Sequence, residues 1–275
     1  MNEAELSGFS GRLVLVGAGR MGGALLEGWL RLGLEGRRVA VLEPQPSSAV
    51  AALTHAGVQL NPNILTIGEA NAVVIAVKPQ MAAEVLPTLA PMIGAGTLVV
   101  SIMAGRTLQF IAAALGRPCI VVRAMPNTPA AIGRGITVAV SRTIDTARRD
   151  LTHRLLAATG LVEWVTDESL MDAVTAVSGS GPAYVFLLAE ALAKAAVACG
   201  LPPLLAAKLA RETVAGSGEL LRRAEADPAT LRENVTSPGG TTAAALAILM
   251  GPNGFEPLLK RAVTAAAARS RELAG

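Results

Sequence analysis

Gly17-Ala18-Gly19-Arg20-Met21-Gly22 sets three glycines at G-x-G-x-x-G spacing, between an apolar run and a stretch with helical periodicity. That is the context in which the pattern holds a dinucleotide. Gly17 would make the tight turn, Gly19 would let backbone approach a pyrophosphate, and Gly22 would let helix and strand pack closely. The anion would sit on free N–H groups at the helix start, where the dipole favours negative charge. A plain glycine-rich turn has the same glycines, but it does not explain the acid that follows. Glu43 closes the second apolar run about 20 residues on, where a carboxylate can accept from both ribose hydroxyls. A carboxylate there repels a 2′-phosphate, so NADH is favoured over NADPH; an ordinary exposed loop residue at Glu43 would leave that preference open. Arg37 and Arg38 do not offset this. They begin the same run, and five extended residues span roughly 16 Å.

Two further stretches combine glycine with hydroxyls. In Ser178-Gly179-Ser180-Gly181-Pro182-Ala183-Tyr184, Pro182 suits the first turn of a helix, with Ser180 or Gly181 near the N-cap. In Ser237-Pro238-Gly239-Gly240-Thr241-Thr242 a loop runs into another helix. Free N–H groups and the hydroxyls of Ser237, Thr241 and Thr242 could hold a small carboxylate. A capped helix start without chemistry is the simpler reading of each.

The elements that must position these residues change character along the chain. Short apolar runs at Arg12–Gly17, Val39–Leu42, Ala72–Val77, Leu98–Ile102, Ile120–Arg123 and, as the last, Ile136–Ser141 read as buried strands. Helical segments separate them, including Gly22–Leu32 and Ala49–Ala56. This alternation predicts an α/β parallel sheet with helices on both faces. After about Glu168 only helices are expected: Pro182–Cys199, Pro203–Ala224, Thr241–Met250 and Phe255–Leu273. The expected domains are therefore 1–167, dinucleotide-binding, and 168–275, helical.

Composition narrows the class. The chain has 275 residues, 52% of them hydrophobic but only 3% aromatic, so its core is aliphatic. The net charge is +3 and basic residues are scattered in pairs, which gives no nucleic-acid footprint. Two cysteines, Cys119 and Cys199, sit in apolar stretches and read as buried free thiols of a reducing, cytoplasmic compartment. With His55 and His153 isolated, no metal site is expected. Glu3 and Glu5 precede any apolar run, so no signal peptide is read. Glu190 and Lys194 interrupt the longest apolar stretch, Tyr184–Cys199, so no membrane span is expected either. A buried oligomer interface is the natural outlet for so much apolar surface.

Taken in order, GAGRMG, Ala76–Gln80 (AVKPQ), Met125–Ala130 (MPNTPA), Val177–Tyr184 (VSGSGPAY) and Glu233–Thr242 (ENVTSPGGTT) resemble the motifs of the pyrroline-5-carboxylate reductase family over nearly the whole chain. The resemblance implies a Rossmann-type α/β domain followed by an all-α dimerisation domain, assembled as a homodimer or a ring of dimers. It implies cofactor contacts from the glycine loop, Asn63, Ala76, Val77, Lys78, Pro79, Met103 and Ala104. It also implies substrate contacts from Asn234, Ser237, Gly239, Gly240, Thr241 and Thr242, reaching the partner subunit's site; Ser180 and Gly181 join this set. The chain departs from the family pattern at Glu43-Pro44, where many members carry residues suited to a 2′-phosphate, and at Met250.

The implied reaction is reduction of a cyclic C=N bond, 1-pyrroline-5-carboxylate to L-proline, by NADH or NADPH. A protonated imine is already electrophilic, so orientation matters more than a strong acid. Backbone N–H groups of Gly239–Thr242 would hold the carboxylate, and the Thr242 hydroxyl would meet the ring nitrogen. Glu168 and Asp172, just before the Ser178–Tyr184 stretch, could orient the site, but as helix-surface carboxylates they read as structural. Two rivals are a β-hydroxyacid-dehydrogenase-like enzyme, which needs a lysine soon after Gly181 although the first here is Lys194, and a non-catalytic NAD(P)-sensing regulator, which leaves both glycine–hydroxyl stretches unexplained.

Overall fold

The computed structural model describes residues 5–274. Among the described residues there are eight strands: β1 Leu13–Val16, β2 Val39–Leu42, β3 Gln59–Leu60, β4 Ala72–Ile75, β5 Leu98–Ser101, β6 Ile120–Met125, β7 Gly135–Val140 and β8 Gly160–Trp164. Twelve α-helices accompany them: α1 Arg20–Arg31, α2 Ser48–Ala52, α3 Ile64–Ile67, α4 Ala82–Thr88, α5 Leu108–Leu115, α6 Thr146–Ala157, α7 Met171–Val174, α8 Gly181–Ala198, α9 Pro203–Arg223, α10 Pro228–Asn234, α11 Thr241–Leu249 and α12 Phe255–Ala274. They divide into two compact units. One is Met1–Gly179 with Ala267–Gly275, and the other is Ser180–Ala266.

The first unit is one sheet in the order β3-β2-β1-β4-β5-β6-β7-β8. Side chains alternate across each strand, and β1 shows the consequence. Leu13 and Leu15 join a cluster with Leu25, Leu26 and Trp29 of α1. Val14 and Val16 join another with Ala82 and Leu86 of α4 and Ile111 of α5. Both faces are therefore covered, which is why β1, β4 and β5 read as unbroken apolar runs. Trp29 donates its indole N–H to the Leu155 carbonyl (2.7 Å), fixing α1 to α6.

The sheet departs from the expected all-parallel form at one pair. β6 and β7 are antiparallel. Their connection holds only a 3₁₀ turn, Thr128–Ile132, and a parallel return needs a crossover of a dozen or more residues. Ile136–Ser141 is also not the last strand, because β8 pairs with β7 at the sheet's edge. β8 lacks a continuous apolar run: Leu161 and Glu163 face solvent while Val162 is buried. The two-residue β3 is too short to leave a periodicity.

Behind β6, Arg123 is almost fully buried and pairs with Glu168 (3.1 Å). The same Glu168 oxygen accepts the Leu108 backbone N–H (2.7 Å) at the start of α5. Asp172 accepts the hydroxyl hydrogen bond of Ser270 (2.7 Å), both residues belonging to the first unit. Each of these carboxylates is thus engaged by partners within the first unit.

In the second unit α8 and α9 form a helical hairpin closed at Gly200, which takes a left-handed φ of +95°. This unit hides little of its apolar surface within one chain. No residue of α8 is buried, and Phe186 and Leu187 are 67% and 62% exposed. The stretch Glu168–Ala198 is long and apolar enough to cross a membrane by length and composition. Glu190 and Lys194 form an ion pair on it. The cysteine expectation is corrected: Cys199 is exposed and Cys119 half-buried, because α8 ends at the surface of the single chain. Burial raises the Cys119 pKa above that of an ordinary thiol, which keeps it protonated.

Removing Glu168 strands a buried guanidinium. Glu168→Ala is expected to cost about 3–5 kcal/mol of unfolding free energy, read from the denaturant midpoint; a loss below about 1 kcal/mol would contradict this role.

Candidate active site

The glycine turn is built by close approach. Gly17 donates its N–H to the Leu42 carbonyl (2.8 Å) and has φ +89°. A side chain at Gly17 would stand 2.9 Å from the Ala76 carbonyl group and 3.0 Å from Val77 Cγ1. One at Gly22 would strike the Gly17 carbonyl. Ala76 and Val77 are thus the floor on which the turn rests. Gly19 differs: a Cβ there meets nothing within 4 Å. Its missing side chain serves nothing in this chain's own packing and leaves backbone open to a ligand. Gly19 is also the N-cap of α1, and no side chain caps that helix. The α1 N–H groups remain available for an anion. Helix α1 begins at Arg20, inside the motif, with Arg20 exposed, Met21 half-buried and Ala18 buried. These observations fit a dinucleotide pyrophosphate.

Glu43 is held against this turn. Its Oε2 accepts the Ala18 N–H (2.8 Å) and its Oε1 the Gln45 N–H (3.0 Å). Asn61, which the sequence reading did not single out, grips Glu43 from β3. It donates from Nδ2 to the Glu43 carbonyl (2.9 Å) and accepts the Glu43 N–H at Oδ1 (2.8 Å). The available signal was chemical, since asparagine is among the few residues that visit the left-handed region routinely. Asn63 lies two residues on. It is exposed, and its side chain accepts the Leu65 N–H (3.0 Å), capping α3.

The turns after β4 and β5 complete this face. Ala76 donates to the Val16 carbonyl (2.7 Å), while β4 itself stops at Ile75, two residues short of the expected end. Lys78 is exposed and Pro79 opens a 3₁₀ turn. Met103 is buried, so it presents only backbone to this face, and Ala104 is exposed. Arg106, also not foreseen, donates from Nε and Nη2 to the Pro79 carbonyl (3.1 and 3.0 Å) and tethers one turn to the other. All of these lie at the carboxyl ends of β1, β2, β4 and β5. The strand order reverses between β1 and β4, the place where open α/β sheets bind ligands.

The Ser178–Tyr184 stretch is not the loop the sequence indicated. It is helical, with a π-turn over Thr175–Gly179 inside a helix running from Glu168 to Ala198. Pro182 has no N–H for the Ser178 carbonyl, and its ring crowds that carbonyl, so a regular α-helix cannot pass. Ser178 turns its hydroxyl back to the Val174 carbonyl (2.9 Å). Ser180 precedes α8 in helical conformation with no side-chain cap, followed by Gly181. In the second unit, Gly239 has φ +69° and Gly240 caps α11 with backbone only, donating to the Ser237 carbonyl (3.0 Å). The start of α11 therefore carries no side-chain cap, beside Ser237, Thr241 and Thr242. Asn234 is exposed at the end of α10.

Comparison with known proteins adds the following. Residues 168–273 match the family described as pyrroline-5-carboxylate reductase dimerisation. Residues 12–105 match the one described as NADP oxidoreductase, coenzyme F420-dependent. A pyrroline-5-carboxylate reductase of Pseudomonas aeruginosa is 38% identical over 265 residues, 96% of this chain and 97% of that one. A solved pyrroline-5-carboxylate reductase from Coxiella burnetii is similar at 33% identity and TM-score 0.88, over 97% and 99% of the two chains. One from Plasmodium falciparum, solved with NADP bound, is 28% identical with TM-score 0.80, over 97% and 99%.

Gly19 and Gly22 are expected to separate binding from folding. Gly19→Ala should leave the thermal midpoint within a few degrees of the parent and weaken dinucleotide binding tenfold or more, while Gly22→Ala should lower the midpoint as well. Equal thermal loss in both variants would contradict the division.

Proposed function

The chain belongs to the pyrroline-5-carboxylate reductase family, and from that premise we propose how its residues divide the work. It is an NAD(P)H-dependent oxidoreductase of proline biosynthesis that reduces 1-pyrroline-5-carboxylate to L-proline. The bound dinucleotide supplies a hydride to the imine carbon. The chain's own residues bind, orient and select. The uncapped starts of α1 and α11 carry this reading: each offers unpaired N–H groups to an anion, a pyrophosphate at the first and the substrate carboxylate at the second.

At the second, the N–H groups of Thr241 and Thr242 with the Ser237 hydroxyl hold the carboxylate. Asn234, Gly239 and Gly240 shape the loop. The Thr242 hydroxyl meets the ring nitrogen and steadies the protonated imine. Fixing the ring in one pose is the main contribution, and orientation of this kind lowers barriers by up to roughly 7–11 kcal/mol in the best cases. Ser180 and Gly181 border the same substrate, and Asn63, Ala76 to Pro79, Met103 and Ala104 border the dinucleotide.

Glu43 makes NADH the preferred cofactor. A carboxylate has about four acceptor sites, and two are used by the Ala18 and Gln45 N–H groups. The rest remain for ribose hydroxyls, and a 2′-phosphate would bring two like charges together. The apolar face of α8, with Phe186 and Leu187, is covered by a second copy, whose α11 loop completes the site. A homodimer is the smallest such assembly, and a ring of dimers is a multiple of it. The free thiols suit the cytoplasm. The first lysine after Gly181 is Lys194, thirteen residues on, a spacing that disfavours the hydroxyacid-dehydrogenase rival.

Thr242→Ala should lower kcat/KM for the imine by about tenfold to a hundredfold, the range for losing one hydrogen bond to a charged group, with dinucleotide affinity unchanged. An unchanged kcat/KM would remove Thr242 from the mechanism. Glu43→Ser should raise kcat/KM with NADPH relative to NADH by about tenfold; an unchanged ratio would free Glu43 from selection.

A further inference from the structure

Asn61 is the only described non-glycine residue with a positive φ, +49°. Such a conformation costs on the order of 1–2 kcal/mol in an L-residue and gathers at functional sites. The surrounding bonds show what it secures. β3 pairs with β2 for only two residues, Ala40 with Gln59 and Val41 with Leu60. Asn61 then donates its own N–H to the Val41 carbonyl (2.7 Å). Its backbone turns away there, and its side-chain amide continues the ladder instead. That amide takes the Glu43 N–H and gives to the Glu43 carbonyl. Glu43 is thereby fixed on both sides of its Cα, just past the last residue of β2. From that fixed point its carboxylate reaches the Ala18 N–H of the glycine turn.

We propose that Asn61 is a positioning residue for cofactor choice: it holds Glu43 so that the carboxylate meets a ribose 2′-hydroxyl and refuses a 2′-phosphate. This rests on the reading of Glu43 as the ribose ligand. Glu43 is half-buried and starts a segment that leaves the sheet. Without the clamp, its N–H and carbonyl turn to water, and the carboxylate gains room to swing off the turn. The acid would still be present in the chain but no longer in one place, and discrimination depends on place. Closing the edge of a two-residue ladder is the purely structural alternative. It predicts a change in stability without a change in selectivity.

The test is equilibrium binding of NADH and of NADPH, read from the fluorescence of the bound reduced nicotinamide, together with the thermal midpoint. Asn61→Gly keeps the left-handed backbone free of strain and removes only the clamp. The expected result is a Kd for NADH about tenfold higher and a Kd for NADPH equal or lower, so that the NADPH-to-NADH Kd ratio falls about tenfold. Tenfold corresponds to the net worth of one to two hydrogen bonds. Asn61→Ser, uncharged and too short to bridge both Glu43 backbone groups, should give a smaller shift in the same direction, which keeps the test open if the glycine variant does not fold. Equal changes in both Kd values, or none, would overturn the inference. Glu43→Ser in parallel separates the two claims. If it lowers the ratio and neither Asn61 variant does, only the Asn61 inference fails. If it leaves the ratio unchanged, the Glu43 reading fails and takes the inference with it.

Discussion

The close approach of the β1–α1 turn to the end of β4 is the constraint on which the first unit depends. Gly17 stands so near the Ala76 carbonyl that no side chain fits between them. Gly22 lies so near the Gly17 carbonyl that no side chain fits there either. Once that contact is made, α1 is fixed over β1 with its first N–H groups free. Leu25, Leu26 and Trp29 then fall on one face of the sheet, opposite the cluster of α4 and α5. Binding surface and core are two consequences of the same packing.

Besides its contact with Ala76 and Val77, the turn is tied to its neighbours by hydrogen bonds. Glu43 reaches the turn from β2, and Asn61 reaches Glu43 from β3. Arg106 joins the turns after β4 and β5 through one carbonyl. Polar cross-links of this kind fix positions at the sheet's carboxyl edge, where loops would otherwise be mobile. On the helical side the logic is reversed. The start of α11 is left without a cap, and the apolar faces of α8 are left without cover. In the function proposed above, a substrate and a second copy of the chain meet those two demands.

Much of this was legible in the residues. The glycine spacing, the acid after β2 and the all-helical second half depend on local patterns, and the structure has all three. What escaped depended on partners distant in sequence or on broken patterns. β8 alternates buried and exposed positions at a sheet edge and so lacks an apolar run. The reversal at β7 follows from the length of its connection, which strand patterns do not report. Glycine and hydroxyls around Pro182 read as a loop, yet serine back-bonding and a π-turn carry the helix through. Asn61 could be weighed only once β2 and β3 lay side by side. Cys199 read as buried because its sequence is apolar, although one chain alone leaves α8 exposed.

Steady-state reduction of 1-pyrroline-5-carboxylate by the unmodified protein, followed at 340 nm with NADH and NADPH in parallel, tests the central claim most directly. A higher kcat/KM with NADH is the predicted result and fits a carboxylate fixed beside the glycine turn. A higher kcat/KM with NADPH would contradict it, and would mean that Glu43 secures the turn without selecting the cofactor.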